Sequence, residues 1–276
     1  MGIAPQTKSG LKPLGISAAE DIAGGALRWK LWGRLGWLEI KRRYRRTTLG
    51  PFWSSLTLLV FVIVMGIVGS GLLSKNTGEY LPFLVSGLLA WTMLSGMITE
   101  AGGVFVAGTG LIRQMNFEYS ILVYALVWRN FIAFLHNMIV YLLIMLVFMP
   151  HALTWRLLLA VPALMLMMMN GVWISIVLGT LTARFRDVQQ IVQSMIQVAM
   201  FVTPLFWSPD NISGIRRIVF VGLNPLYHLL AIVRDPLLDR TPSINSYIAV
   251  LIITLLGWTL AFVVYSKFRK RIAYWL

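Results

Sequence analysis

A run of arginines is the first feature of the sequence that could do chemistry. It lies in RYRRTTLGPFW, residues 43–53, directly ahead of Leu49, Gly50 and Pro51 and of a long apolar segment. The arginines are Arg42, Arg43, Arg45 and Arg46. Guanidinium groups bind phosphate oxygens through paired N–H donors, and positive charge beside an apolar segment also fixes its orientation in a membrane. The sequence therefore leaves two roles open, which are binding an anionic lipid headgroup and enforcing topology.

Polar side chains inside apolar segments form a second group, because each costs free energy in lipid and is expected to face protein or water. One set follows helical spacing in the third apolar segment, and the other recurs every four residues in the fifth. The sets are Arg129, Asn130, His136, Asn137 and Tyr141, and then Gln189, Gln193 and Gln197. Amides hydrogen-bond hydroxyl groups, so a path for a hydroxyl-rich sugar is one interpretation. Packing between helices, in which Asn and Gln also hydrogen-bond, is the other.

Motifs for enzymatic chemistry are missing from the sequence. It has no Gly-Lys dipeptide for a phosphate-binding loop, no HExxH and no GxSxG, and it has no cysteine to act as nucleophile or metal ligand. Its three histidines are scattered. We therefore expect no catalytic residue and no metal site. A membrane-embedded glycosyl or lipid transferase is a rival class, but it would need acidic or histidine clusters that the sequence lacks.

The composition is that of a membrane protein. Of the 276 residues, 58% are hydrophobic and only 12% are charged, whereas soluble domains carry about 25% charged residues. The 24 Lys and Arg against 10 Asp and Glu give a formal net charge of +14. A nucleic-acid-binding domain would not carry apolar runs of about twenty residues. We therefore expect membrane lipids and anionic ligands as partners, and no nucleic acid.

Six segments are apolar for about twenty residues, the length that a helix needs to cross a bilayer. They are Phe52–Leu73, Tyr80–Thr99, Ile121–Met149, Leu157–Leu181, Ile191–Trp207 and Tyr247–Ser266. A further apolar stretch, Ile215–Leu230, is interrupted by Asn224-Pro225, which indicates a re-entrant or interfacial hairpin before the last helix. We predict an all-α integral membrane protein with six transmembrane helices.

The positions of Lys and Arg predict that both termini face the cytoplasm, because these residues concentrate on the side of the termini. Residues 1–25 are expected to be a flexible cytoplasmic N-terminus. Residues 26–48 alternate tryptophan, leucine and cationic positions and predict an amphipathic helix in the membrane interface. Gly50 permits a sharp turn after it, and Pro51 suits the first position of a new helix. Residues 49–276 then form the six-helix domain.

Four stretches, in this order around six spans, resemble the permease subunits of ATP-binding-cassette (ABC) transporters of type 2, specifically exporters of O-antigen, capsule or teichoic acid. The stretches are RRYRRTTLGPFW, LIRQMNFEYS, ARFRDVQQI and LNPLYHLLAIVRDPLL. The resemblance covers nearly the whole chain after residue 26. It implies a homodimer in the bacterial inner membrane that binds two copies of a cytosolic ATPase. It also implies that this chain has no cofactor of its own, because ATP and Mg²⁺ are bound by the ATPase.

The resemblance further implies roles for particular residues. Expected at the entry for a lipid-linked polysaccharide are Arg42, Arg45, Arg46, Leu49 and Gly50. Expected along the translocation path are Trp53, Asn137, Tyr141, Gln193 and Gln197. Expected to couple to the ATPase are Arg113, Asn116, Phe117, Glu118, Arg186 and Asp187. Expected at an external gate are Asn224 and Pro225. The sequence departs from the pattern of this family at Glu118, where many relatives have a proline.

The predicted function is that of a channel-forming subunit which exports lipid-linked polysaccharide from the cytoplasmic side, driven by the ATPase. The alternative is a type-2 ABC permease for drugs or small lipids, which would share the fold and the ATPase. Such permeases often carry a large external domain. Residues 209–246 are too few for one, which favours a glycan substrate.

Overall fold

The structure is a computed structural model that describes residues 16–73 and 76–276. Twelve α-helices and no strand occur in this described part of the chain. The helices are α1 (Ala18–Leu27), α2 (Trp29–Tyr44), α3 (Phe52–Leu73), α4 (Thr77–Ala101), α5 (Val104–Ala107), α6 (Thr109–Gln114), α7 (Ser120–Phe148), α8 (Ala160–Arg184), α9 (Asp187–Val202), α10 (Gly214–Arg217), α11 (Pro225–Leu237) and α12 (Ile244–Trp275). Short 3-10 turns precede α8 and α10, and a π-helical turn, Ile218–Gly222, extends α10.

Five of the described helices, α3, α4, α7, α8 and α12, are long and apolar enough to cross a membrane. The segments Gly214–Gly222 and Pro225–Leu237 pass the same test as a pair, although they are bent by 77°. The predicted class, an all-α multi-pass membrane protein, is confirmed.

The predicted fifth span, Ile191–Trp207, is wrong in its extent. The structure forms α9 there, which has 16 residues and ends at Val202, a length of about 24 Å. Thr203 is already extended, with φ −81° and ψ 138°. It precedes Pro204, and the proline ring disfavours helical backbone at the residue before it. The helix therefore stops sooner than hydropathy alone suggests.

The bend between α10 and α11 lies where the sequence is interrupted by Asn224-Pro225. Asn224 caps α11, because its side-chain Oδ1 accepts hydrogen bonds from the backbone N–H groups of Leu226 (3.0 Å) and Tyr227 (3.2 Å). Pro225 occupies the first helical position, where no N–H donor is needed. Asn224 Nδ2 also donates to Thr203 Oγ1 at 3.2 Å, which ties the bend to the end of α9.

Helix α4 lies at the centre of the bundle, packed against α3, α7, α8, α9 and α11. Small residues bring neighbouring helices together, as expected where van der Waals packing stabilises helices in lipid. Gly171 of α8 lies against Met97 of α4, and Gly257 of α12 lies against the ring of Trp173 of α8. A Cβ atom at either glycine would overlap these side chains.

The expectation that residues 1–25 form a flexible terminus is wrong for residues 18–25, which belong to α1. Ser17 and Glu20 form a capping box, in which Glu20 N–H donates to Ser17 Oγ (3.2 Å) and Ser17 N–H donates to Glu20 Oε2 (2.7 Å). Residues 16 and 17 lead into this helix, and the part of the expectation that concerns residues 1–15 lies outside the described residues.

Asp21 fastens α1 to the bundle. Its carboxylate is 0% exposed and accepts hydrogen bonds from the backbone N–H groups of Tyr119 (3.1 Å) and Ser120 (3.0 Å). It also accepts from the hydroxyl of Tyr265 (3.0 Å) and from Nε of Arg269 (2.6 Å). This one side chain therefore joins α1 to the start of α7 and to the end of α12.

The predicted amphipathic helix of residues 26–48 is shorter in the structure, where α2 runs from Trp29 to Tyr44 and Arg28 separates it from α1. It lies along α7. Gly36 packs against the carbonyl oxygen of Ala125, which would lie 2.9 Å from an added Cβ, and Ile40 is buried. Trp29, Leu31, Trp37 and Leu38 stay exposed. Its location in the membrane interface stays a prediction.

Candidate functional site

The arginine run forms an exposed turn between α2 and α3. Gly50 has a φ of +55°, a conformation that glycine adopts without strain. The turn then leads through Pro51 into α3. Arg42, Arg45 and Arg46 are exposed, and none of the three has a carboxylate within ion-pairing distance among the described residues. We call this surface, Arg42, Arg45 and Arg46 with Leu49 and Gly50, the arginine turn.

Arg43 differs from its neighbours because it is committed to an ion pair. Its Nη2 lies 2.7 Å from Glu100 Oε1 of α4. Partial burial by itself lowers the pKa of the Arg43 guanidinium, but the hydrogen bond and the charge of Glu100 outweigh it and raise the pKa above its ordinary value. Arg43 therefore stays charged and holds the end of α2 in place.

Glu100 belongs to a larger ionic network that sequence reasoning missed. Arg129 of α7 pairs with Glu100 Oε2 at 2.7 Å and also with Glu39 of α2, and Asn130 Nδ2 donates to Glu100 Oε2 at 3.0 Å. The network joins α2, α4 and α7 close to the arginine turn. Arg129 was a signal in the sequence for this network, because a charge inside an apolar segment requires a partner. Its position in the sequence did not identify Glu39 and Glu100 as the partners.

The outer face of α3 continues from the arginine turn as an apolar surface. Trp53 is exposed, and further exposed side chains follow it at helical spacing. They are Leu56, Val60, Ile63, Val64 and Ile67. The start of the helix is fixed on its other side, where the ring of Phe52 meets His136 of α7 edge-on at 5.5 Å. The structure therefore places Trp53 beside the arginine turn.

Two of the expected path residues are buried between helices in the single chain. Asn137 is buried, and its Oδ1 accepts hydrogen bonds from Ser54 (3.3 Å) and Ser55 (3.2 Å) of α3. Tyr141 is 0% exposed, and its hydroxyl donates to the carbonyl oxygen of Leu237 at 2.7 Å. Both side chains pack α7 against its neighbours, as the alternative interpretation of the polar residues holds, and their assignment to the path stays a prediction.

The glutamines of α9 are less buried than Asn137 and Tyr141. All residues of α9 are described and none is buried. Gln193 is half-buried and Gln197 is exposed, whereas Gln189 donates from Nε2 to the carbonyl oxygen of Thr99 at 2.7 Å. Exposed apolar side chains accompany the polar ones on this helix. They are Ile191, Met195, Val198 and Phe201.

The loop that is expected to couple to the ATPase is exposed at Arg113 and Asn116 and buried at Glu118. Arg113 and Asn116 are exposed and Phe117 is half-buried. Glu118 points inward, 9% exposed, and its Oε1 lies 2.9 Å from Nη2 of Arg28. The carboxylate of Glu118 is therefore engaged with the segment between α1 and α2, and its expected contact with the ATPase stays a prediction.

The second expected contact, Arg186 and Asp187, is exposed at the start of α9. The guanidinium of Arg184 lies over the ring of Trp275 at 5.6 Å, so this loop sits at the end of the bundle where α12 ends. The first loop lies at the same end, because Asp21 binds both Tyr119 and Arg269. No group of three or more His, Asp or Glu that could hold a metal ion occurs within the described ranges.

Comparison with known proteins gives a consistent result. A sequence profile of the ABC-2 type transporter family matches residues 30–238. An O-antigen export system permease protein RfbA of Klebsiella pneumoniae is 25% identical over 234 residues, which cover 84% of this chain and 88% of the relative. A protein of the same name from Myxococcus xanthus is 22% identical over 193 residues, covering 70% of this chain and 74% of the relative.

Proposed function

Because this chain belongs to the ABC-2 type transporter family, we propose that it forms the membrane channel of an ATP-driven exporter of lipid-linked polysaccharide, of the O-antigen or capsule kind. The names of the relatives support this substrate class. The observation that carries the proposal is the arginine turn, with three exposed guanidinium groups that have no carboxylate partner among the described residues. Guanidinium groups bind phosphate with paired hydrogen bonds, which suits the phosphate of a lipid carrier.

The exposed faces of α3 and α9 support a homodimer. The apolar face of α3 that begins at Trp53 and helix α9, which has no buried residue, are incomplete surfaces in a single chain. A second copy would cover their apolar side chains, and Gln193 and Gln197 would then face a shared interior. Polar side chains in a membrane segment are expected to face protein or water. The sugar chain passes between the copies, making contacts that are individually weak enough to be released.

The ATPase is proposed to dock at the end of the bundle where α12 ends. Arg113, Asn116 and Phe117 form one contact, and Arg186 and Asp187 form the other. Two copies of the ATPase bind one dimer, and ATP with Mg²⁺ is held by those subunits. The excess of Lys and Arg at this end supports its location on the cytoplasmic side of the bacterial inner membrane. The bend at Asn224 and Pro225 then belongs to the opposite side, as a gate.

The arginine turn is tested by replacing Arg45 and Arg46 with alanine. We expect surface polysaccharide to fall at least about tenfold, because losing two charge-assisted hydrogen bonds weakens binding by more than about 1.4 kcal/mol. The amount of chain in the membrane and its co-purification with the ATPase should stay unchanged. The matched control is Arg216→Ala with Arg217→Ala, two exposed cations of α10 that lie outside the arginine turn and the proposed ATPase contacts. Normal export by the arginine variant would refute the role of the turn.

Deletion of the gene separates this function from its rival. If the chain exports polysaccharide, lipid-linked glycan accumulates on the cytoplasmic side and the trapped molecule identifies the substrate. An unchanged cell surface combined with altered drug sensitivity would instead establish a permease for drugs or small lipids.

A further inference from the structure

A groove between α2 and α7 is lined by no residue of the arginine turn, of α3 or of α9. Its volume is about 690 Å³, and its walls are largely indole rings. They belong to Trp29, Trp32 and Trp37 of α2 and to Trp128 of α7. The rings of Trp32 and Trp128 meet edge-on at 5.7 Å, which gives the groove a fixed wall. Such a surface accepts hydrocarbon rather than a polar ligand.

The groove extends along a helix that is long and apolar enough to cross a membrane. Trp128, Ile132 and Leu135 of α7 all line it. They share one face of the helix and span seven residues, a rise of about 10 Å. The groove therefore has an elongated apolar wall in the direction that a lipid acyl chain takes beside a spanning helix.

The floor of the groove is open because α2 has a glycine there. Gly33 lines the groove, and a Cβ atom added to it would meet nothing within 4 Å. The contrast with Gly36 is informative. An added Cβ at Gly36 would lie 2.9 Å from the carbonyl oxygen of Ala125, so Gly36 is needed for the contact of α2 with α7. Gly33 serves no such contact and leaves space for an occupant.

Positive charge lies at the rim of this apolar surface. Lys30 and Arg34 line the groove one helical turn apart, and both are exposed. Neither has a carboxylate within ion-pairing distance in the part of the chain that the structure describes. The neighbouring acids Glu39 and Glu118 are paired with Arg129 and Arg28 instead. The groove thus combines an apolar body with two available cations.

We propose that this groove binds one anionic phospholipid, with an acyl chain against the tryptophans and the phosphate between Lys30 and Arg34. Tryptophan and basic side chains together are typical of the headgroup region of a bilayer. The site is separate from the arginine turn, since Arg34 and Arg42, the nearest arginine of that turn, are eight residues apart in α2, about 12 Å along the helix. The bound lipid packs the first half of α2 against α7, as the ionic network does for the second half.

The test measures which phospholipid the purified full-length chain retains. Wild-type protein in detergent is incubated with equal amounts of phosphatidylglycerol and phosphatidylcholine, and retained lipid is counted by native mass spectrometry. We expect about one phosphatidylglycerol per chain, retained in preference to phosphatidylcholine. Gly33→Leu adds an apolar side chain to the floor, where its Cβ meets nothing within 4 Å, and leucine is a better helix former than glycine, so we expect the fold to be kept. Displacing two methylene groups from the groove should weaken retention about tenfold.

Charge variants test the headgroup contact. Lys30→Gln with Arg34→Gln should abolish the preference for phosphatidylglycerol, whereas Lys270→Gln with Arg271→Gln removes equal charge near the end of α12 and should preserve it. Equal retention of both phospholipids by the wild type would overturn the proposal, and so would full retention of phosphatidylglycerol by Gly33→Leu. Displacement of phosphatidylglycerol by an equal amount of undecaprenyl phosphate would also overturn it, because the occupant would then be a polyprenyl carrier.

Discussion

Asp21 carries the attachment of α1, and its replacement by asparagine should be among the most destabilising single changes in the chain. The substitution keeps the volume and removes the charge. Arg269, whose side chain is only 3% exposed, would lose the carboxylate that lies 2.6 Å from its Nε. The new amide nitrogen would also replace one of the two carboxylate oxygens, so its N–H groups would face the backbone N–H of either Tyr119 or Ser120, which donate to different oxygens of Asp21.

The size of the effect follows from burial. Since Asp21 is 0% exposed, solvent does not screen the pair, and removing one partner of a buried ion pair costs about 3–5 kcal/mol. Replacing both partners, Asp21→Asn with Arg269→Gln, leaves two neutral amides in place of an uncompensated charge. We expect the double variant to recover at least about 2 kcal/mol relative to Asp21→Asn, because no uncompensated charge is then left buried.

The assay is unfolding of the purified chain in mixed micelles, with the free energy of unfolding compared among the wild type, both single variants and the double variant. Proteolysis between residues 16 and 28 reports separately on release of α1. A loss below about 1 kcal/mol for Asp21→Asn, or a double variant as unstable as the single one, would refute the buried-pair argument.

Two further substitutions test packing assignments. Tyr141→Phe should cost about 0.5–1.5 kcal/mol, because the hydrogen bond to Leu237 is lost, and it should leave export unchanged; reduced export at unchanged stability would return Tyr141 to the path. Gly257→Ala should lower stability by about 1–3 kcal/mol, since the new methyl group overlaps the ring of Trp173. Thermal unfolding measures it against Gly110→Ala, whose Cβ meets nothing within 4 Å, and equal stability of the two variants would contradict the close approach of α12 to α8.

The large features of the fold were predictable because they depend on local sequence. Apolar length identifies the spanning helices, and Asn224-Pro225 marks the bend because one residue caps a helix and the other begins it. The early end of α9 was also readable, from Pro204. Arg45, Trp53 and Gln197 are exposed in the structure, and their roles in entry and transport stay predictions.

The sequence-based predictions failed where contacts between residues far apart in the sequence determine the structure. The capping pattern of Ser17 and Glu20 was present as a signal for α1, but Gly24 and Gly25 weaken helix propensity. Tertiary packing overrides that weakness, since Gly25 lies so close to Ser120 that a Cβ would overlap the hydroxyl. Helical spacing likewise placed Asn137 on a polar face. It could not show that this face packs against α3 rather than lining a water-filled path.

The four arginines of the turn show how residues of one type divide between two tasks. Arg43 is held by Glu100, within a network in which Glu39 and Arg129 complete the balance of charge. The positive charge available to a ligand therefore resides on the other three arginines. Because the network and the contact of Gly36 with α7 fix α2 in place, less backbone freedom is lost when those arginines bind an anion, and preorganisation of this kind strengthens binding. Loss of the network should thus weaken anion binding even though no ligand contact is removed.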